Sequence, residues 1–260
     1  MSQSELKLNI ALMKKTTQLL GGMLLVSAFS SIATAGDVYV DAKAPVIEPE
    51  APNAIYGSVS VGYESTYLFR GVDFGDDAPW SGLDLNYDLS DTVSINAGAW
   101  YINPSEGSDN DELDLYASIT KTFGDLSISF GGTWFYFPEA SADVSELGTS
   151  LGYSLGFVDL GASYYYDFET EGHYYEAGVS KSIGLTDTIA LNLATGAGFG
   201  SDYYDVDGFS HVYVTAGLTF ALSETVAFDI YVGGNFVGDD LSAAGEDDDV
   251  HGGASLTVSF

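Results

Sequence analysis

Nine carboxylates and one guanidinium share the polar parity of segments that otherwise alternate between apolar and small or polar residues. They are Glu64, Asp84, Asp88, Asp114, Glu146, Asp159, Asp167, Glu176 and Asp229, with Arg70 the single base. Acids gathered on one wall set up a negative potential, which is the chemistry of attracting cations. Arg70 is expected opposite some of these acids, either narrowing a passage or locking the wall through a salt bridge. Rings of the same parity (Trp100, Phe135, Tyr165, Tyr213 and Tyr231) are further constriction candidates, with Ile102, Tyr116, Phe137 and Tyr174 beside them. Nucleophilic chemistry has weaker support. His173, His211 and His251 could each serve a serine, but the two Gly-x-Ser-x-Gly matches, Gly148 to Gly152 and Gly152 to Gly156, fall in the alternating segment Leu147–Leu155 rather than on a strand-to-helix elbow, and no orienting residue is evident. No enzyme is therefore expected. Asp109-Asn110-Asp111-Glu112 with Asp114, and Glu246 to Asp249, offer oxygen ligands of the kind calcium takes. They lack the calcium-loop spacing, so no metal and no cofactor is expected.

The elements that must position these groups are strands. Period-2 alternation gives each segment one apolar face. In the first, Ile55, Val59, Val61, Tyr63, Tyr67 and Phe69 oppose Ser58, Ser60, Gly62, Glu64, Thr66 and Arg70. The alternation recurs about twelve times, through Leu83–Leu89, Val93–Tyr101, Leu113–Ile119, Leu126–Tyr136, Leu147–Leu155, Val158–Phe168, Tyr175–Val179, Ile189–Phe199, Val212–Phe220, Val226–Phe236 and Val250–Phe260. Near-identical turns follow the even-numbered segments: Leu89-Ser90-Asp91-Thr92-Val93, Leu185-Thr186-Asp187-Thr188-Ile189 and Leu222-Ser223-Glu224-Thr225-Val226. The odd-numbered connections read as longer acidic loops. The first is Gly71 to Pro79; others hold Glu106, Asp109 and Asp111, then Glu169 and Glu171, then Asp202, Asp205 and Asp207, and finally Asp239, Asp240 and Glu246 to Asp249.

This layout predicts an all-β, transmembrane up-and-down antiparallel barrel of about twelve strands, with short periplasmic turns and long acidic external loops. Twelve strands of Leu, Ile, Val and Tyr could not fill one interior, which argues against a soluble barrel. The apolar face carries no acid, and its bases Lys121 and Lys181 fall at strand ends, where the head of a side chain reaches water. A charge at mid-depth on a lipid face costs up to ~2–4 kcal/mol. Phe69, Tyr101, Trp134, Tyr136, Tyr166, Phe168 and Phe199 read as the interfacial girdle towards the loop end.

Residues 1–35 read as a signal peptide starting at Met13: Lys14 and Lys15, an apolar run from Leu19 to Phe29, and Ala33-Thr34-Ala35 as the cleavage pattern. Residues 36–53, with Pro45, Pro49 and Pro52, form an extended lead-in, and 54–260 the barrel. The 260 residues carry a formal charge of −31 and no cysteine. Removing 1–35 takes Lys7, Lys14, Lys15 and Glu5, leaving 4 bases, 37 acids and a charge of −33. Such a surface repels nucleic acid.

Ser65-Thr66-Tyr67-Leu68-Phe69-Arg70-Gly71, followed by Trp80-Ser81-Gly82-Leu83-Asp84, resembles the opening of the TorF-type porin family of outer-membrane β-barrels. Where that family commonly has a Ser-Gln pair, this chain has Asp73-Phe74. The resemblance implies a porin-like role and supplies no substrate. The ending Ala254, Leu256, Val258, Phe260 also looks like the signal read by the bacterial barrel-assembly machinery. Together these readings predict a cation-preferring channel for small hydrophilic solutes in the bacterial cell outer membrane, with lipid and lipopolysaccharide as its surroundings. Two alternatives stand beside it: a structural or adhesive barrel whose external loops bind divalent cations, and a lipid hydrolase built into the wall.

Overall fold

Branched and aromatic residues alternating with Gly, Ser and Thr suit a pleated wall with a different solvent on each side. In a computed structural model they form β1 (Ile55–Phe69), β2 (Val72–Ser90), β3 (Val93–Ile102), β4 (Glu112–Phe123), β5 (Leu126–Phe137) and β6 (Ala142–Ser154). The second half follows as β7 (Asp159–Asp167), β8 (His173–Thr186), β9 (Ile189–Tyr203), β10 (Val206–Ala221), β11 (Val226–Val237) and β12 (Asp249–Ser259). One short helix, α1 (Asp239–Ala244), lies between β11 and β12. The structure describes residues 54–105, 111–204 and 206–260. The expected signal peptide, the start at Met13 and the lead-in 36–53 lie outside these residues, as do Glu106, Asp109, Asn110 and Asp205.

Each strand pairs antiparallel with its sequence neighbours, and β1 closes on β12 through Val59↔Val258, Val61↔Leu256 and Tyr63↔Ala254. Closure pairs every strand twice, so no edge is left unpaired. The seam ends with Phe260 and Gly57 exchanging backbone hydrogen bonds of 2.9 and 3.0 Å.

The side-chain distribution is inverted relative to a soluble domain. Every strand exposes large hydrophobics on its outer face, among them Val61 (51%), Leu83, Ile95, Leu115, Ile128, Leu151 (46%), Leu160, Leu193, Val232 (53%) and Leu256. A soluble protein rarely exposes an apolar patch beyond a few hundred Å²; a belt right round the barrel is what acyl chains cover. The buried groups include Glu64, Arg70, Glu112, Asp114, Glu146, Asp167 and Glu176. Lys121, at the turn end of β4, donates to Thr92 Oγ1 at 2.5 Å. The repeated turns share one device: Thr92, Thr188 and Thr225 each donate their amide to the side-chain oxygen of Ser90, Thr186 or Ser223, two residues earlier. This local bond fixes a tight turn without a glycine.

Two expectations need correction. Gly71 to Pro79 is not a loop: residues 72–79 continue β2, which runs 19 residues. The cause is a two-residue turn at Arg70 and Gly71, with φ 49° and 90°. Positive φ at both central positions is the type I′ geometry that matches strand twist, so pairing resumes at once. Second, Tyr67 and Phe69 do not face lipid; both are buried. The pairing register of β1 against β2 shifts between Thr66 and Leu68. The extra residue is on β2, where Phe74 and Gly75 together oppose Tyr67, and a bulge of this kind bends the hairpin. Phe69 therefore leaves the expected girdle, while Trp134, Phe168 and Phe199 remain exposed at the loop end.

Candidate functional site

The bulge and the tight turn together carry the tip of the β1–β2 hairpin across the barrel. β7 lies six places from β1 in the ring, on the opposite wall. Arg70, at the tip, reaches that wall: its two terminal nitrogens donate to Glu146 Oε1 and Oε2 of β6 at 2.6 and 2.8 Å. One of them also donates to the Tyr203 hydroxyl of β9, which in turn donates to Glu146 Oε1 at 3.2 Å. The guanidinium carbon lies 4.5 Å from the Tyr165 ring centroid, 4.3 Å from Tyr174 and 4.5 Å from Phe69. A flat cation between π-faces and a bidentate carboxylate uses each binding mode of guanidinium at once. The side chains of Arg70 and Glu146 are only 2% and 3% exposed. Further contacts hold the same tip: Phe69 packs edge-on to Phe135 of β5, and Ser210 Oγ of β10 donates to the Arg70 carbonyl at 3.2 Å.

On the hairpin's own side, Tyr67 donates to Glu112 Oε2 at 2.8 Å and packs on Phe74 and Trp100. Glu112 and Asp114 stand two residues apart on β4, both fully buried. Above the tip, Leu241 of α1 is buried, and the Asp73 amide donates to Glu246 Oε2 at 2.9 Å. Burial holds the Glu246 carboxyl above the ordinary 4.5, partly offset by that amide and reinforced by the charges of Asp73 and Asp247.

Lower in the barrel, the acids are capped by tyrosines across intervening glycines. Asp84, Gly98 and Tyr116 stand in register on β2, β3 and β4, and the Tyr116 hydroxyl donates to Asp84 at 2.6 Å. Glu64, Gly253 and Tyr231 repeat this on β1, β12 and β11; Tyr231 donates to Glu64, which also accepts from Trp80 Nε1 at 3.0 Å. A Cβ at either glycine would strike the ring that crosses it. Glu176 accepts from Tyr174 and Tyr213 at 3.2 and 3.1 Å, Asp88 from Tyr56 at 3.2 Å, and Asp167 from Tyr204 at 3.3 Å. Asp229 accepts from Thr219 at 2.5 Å. Asp159 sits half-buried at the turn end of β7, opposite Ser154 and Ser180.

The anticipated residues thus divide. Arg70, Glu146, Phe135 and Tyr165 gather at the hairpin tip, with Tyr213 joined to them through Glu176. Trp100 packs against the hairpin through Tyr67, and Tyr231 belongs to the wall near β1, joined to Glu64. Tyr203 was not anticipated, Tyr67 and Phe69 were expected on the outer face, and Glu112 was expected only among the oxygen ligands of a loop. Glu112 shares the parity of Asp114 and could have been found by extending that segment one residue; the others depend on the bulge and the fold-over. The histidines do not converge: His173 Nδ1 lies 2.9 Å from the Tyr164 hydroxyl, His211 Nδ1 3.1 Å from Ser210 Oγ, and His251 Nδ1 3.4 Å from Asp249 Oδ1. Ser210 spends its hydroxyl on the Arg70 carbonyl rather than facing a substrate cleft. Among the described residues no group of three or more His, Asp or Glu side chains could hold a metal ion.

A closed twelve-stranded barrel with an apolar belt outside and carboxylates inside is the fold of porin-like outer-membrane proteins. Solved structures of that class superpose on it. The KdgM porin is 10% identical at a TM-score of 0.52, covering 78% of this chain and 99% of its own. An outer-membrane channel of Pseudomonas putida F1 is 10% identical at a TM-score of 0.51, covering 83% and 100%. At these identities the likeness is one of fold. No protein-family description and no curated protein matches the sequence.

Proposed function

We propose that this chain is a porin-like channel of the bacterial outer membrane that passes small hydrophilic solutes and prefers cations. One observation carries the preference: Arg70 is the only base inside the described barrel, and Glu146 already neutralises it. Of the remaining interior acids, Glu64, Asp84, Asp88, Glu112, Asp114, Asp167 and Asp229 have hydroxyl or indole donors or each other as neighbours and form no ion pair, and Glu176 shares the one guanidinium with Glu146. A low-dielectric wall focuses that charge on the passage. The β1–β2 hairpin bridges the mouth, so the conducting form is the one in which its tip leaves the far wall. The TorF-type opening agrees with this reading, and in it the final strand ending in Phe260 is what the barrel-assembly machinery reads. Lipopolysaccharide borders the acidic rim. Planar-bilayer recording under a KCl gradient tests the proposal. The expected result is discrete steps with a cation-selective reversal potential that moves towards zero in the Asp84→Asn/Asp114→Asn/Asp229→Asn variant. An anion-selective or permanently silent barrel refutes it.

A further inference from the structure

The Arg70 side chain occupies something built for a cation. Glu146, Tyr165, Tyr174 and Tyr203 come from four different strands, β6 to β9, and none is a sequence neighbour of the group they hold. They belong to the static wall, whereas the guanidinium arrives on a hairpin from the opposite side. Lift the hairpin away and the wall keeps a carboxylate with both oxygens aimed at one point, flanked by three aromatic faces. Behind them Glu176, joined to Tyr174, adds a second negative charge. We infer that these four residues form a binding site for guanidinium-bearing organic cations on their way through the channel, and that Arg70 is a tethered stand-in for that cargo. The inference rests on the channel reading and names its substrate class.

Geometry selects guanidinium over simple ions. The bidentate pair of 2.6 and 2.8 Å contacts needs two parallel N–H donors, which potassium and a primary ammonium lack. The ring centroids at 4.3 to 5.2 Å suit a planar, weakly hydrated cation stacked between them. Arg70 itself is held in the left-handed region, φ 49°, where arginine is disfavoured. A turn that needed only its shape would be served better by Asn-Gly. The tethered cation competes with free cargo, so cargo that wins the site also frees the hairpin and opens the mouth.

The test is chemical replacement in the whole barrel. Arg70→Ala empties the cage; Arg70→Gly does the same while relaxing the turn, and serves if the alanine variant folds poorly. Millimolar guanidinium chloride should raise the melting temperature of either variant in detergent, while urea, its neutral isostere, and potassium chloride at equal ionic strength should not. Adding Glu146→Gln should weaken that response by about tenfold or more, the loss expected when a charge-assisted partner is removed. In bilayers, arginine methyl ester should interrupt the current of the Arg70 variants in a concentration-dependent way. In the unaltered protein it should speed hydrogen exchange at the hairpin tip. Equal responses to guanidinium and potassium, or a response that survives Glu146→Gln, would overturn the cage and leave a conducting channel intact. Guanidinium stabilisation in a barrel that never conducts potassium would instead uphold the cage and remove the channel.

Discussion

Replacing Glu146 by alanine is the perturbation that tests whether the hairpin is a latch. The pair it breaks is nearly sealed from water, with side chains 2% and 3% exposed. Taking away one member leaves a guanidinium buried among Phe69, Tyr165, Tyr174 and Tyr203 with no paired carboxylate, only the charge of Glu176 behind Tyr174. Stranding a buried charge in this way costs about 3–5 kcal/mol. A core residue would have to absorb that cost, but Arg70 stands on a two-residue turn at the end of a hairpin and can return to water. The cost therefore appears as opening rather than global unfolding. At 1.4 kcal/mol per factor of ten, even 3 kcal/mol moves the open-to-closed ratio by about two orders of magnitude. Single-channel open probability should rise accordingly, and amides around Phe69 to Val72 should lose hydrogen-exchange protection while those in β4 and β11 keep theirs. The paired change Arg70→Met with Glu146→Leu should close again, because an apolar pair of similar volume needs no counter-ion. Unchanged open probability and unchanged tip protection in Glu146→Ala would show that the salt bridge does not hold the hairpin.

Two further expectations follow from other contacts. Glu246 has its carboxyl raised by burial over the hairpin, so the docked loop binds a proton more tightly than the free loop; the stabilisation is full below the ordinary 4.5 and fades as pH rises through the raised value. Open probability should fall as pH is lowered through that raised value, and Glu246→Gln should flatten the dependence; a profile unaltered by that substitution would place the titrating group elsewhere. A Cβ at Gly196 would lie 2.5 to 2.8 Å from the Tyr213 ring that crosses it towards Glu176. Gly196→Ala should therefore cost roughly 1–3 kcal/mol by overpacking, and Tyr213→Ala in the same chain should recover part of that loss in melting experiments. Additive losses would mean that ring and glycine are independent.

What was legible in the chain was sidedness, because alternation is a local property that survives any closure of the wall. Val59, Val61 and Tyr63 face outward as their parity requires, and Glu64 faces inward. The hairpin was not legible, since each of its features breaks a local rule. Asp73, Asp76 and Asp77 crowd together as loop residues do, yet they extend a strand. A bulge on β2, where Phe74 and Gly75 oppose Tyr67, bends the hairpin so that Tyr67 and Phe69 are buried, and it leaves no periodic mark in β1. Arg-Gly carries only half of the usual two-residue turn signal. The tyrosine–acid pairs were hidden for a different reason: Tyr231 and Glu64 are 167 positions apart, and only closure of β1 on β12 brings them together. Where such failures fall is informative. Among the described residues, all six non-glycine positions with positive φ (Arg70, Asp77, Ser141, Glu171, Asp202 and Tyr204) lie at the loop end, as do the bulge opposite Tyr67 and the buried ion pair. At the turn end three turns share the Ser/Thr device, and among the described residues positive φ falls there only on Gly124 and Gly156. Backbone strain and a buried charge persist only where surrounding structure over-determines them, and they gather where a molecule must change state. That contrast between the two ends supports the proposed opening at the hairpin over any opening at the turns, independently of which solute crosses.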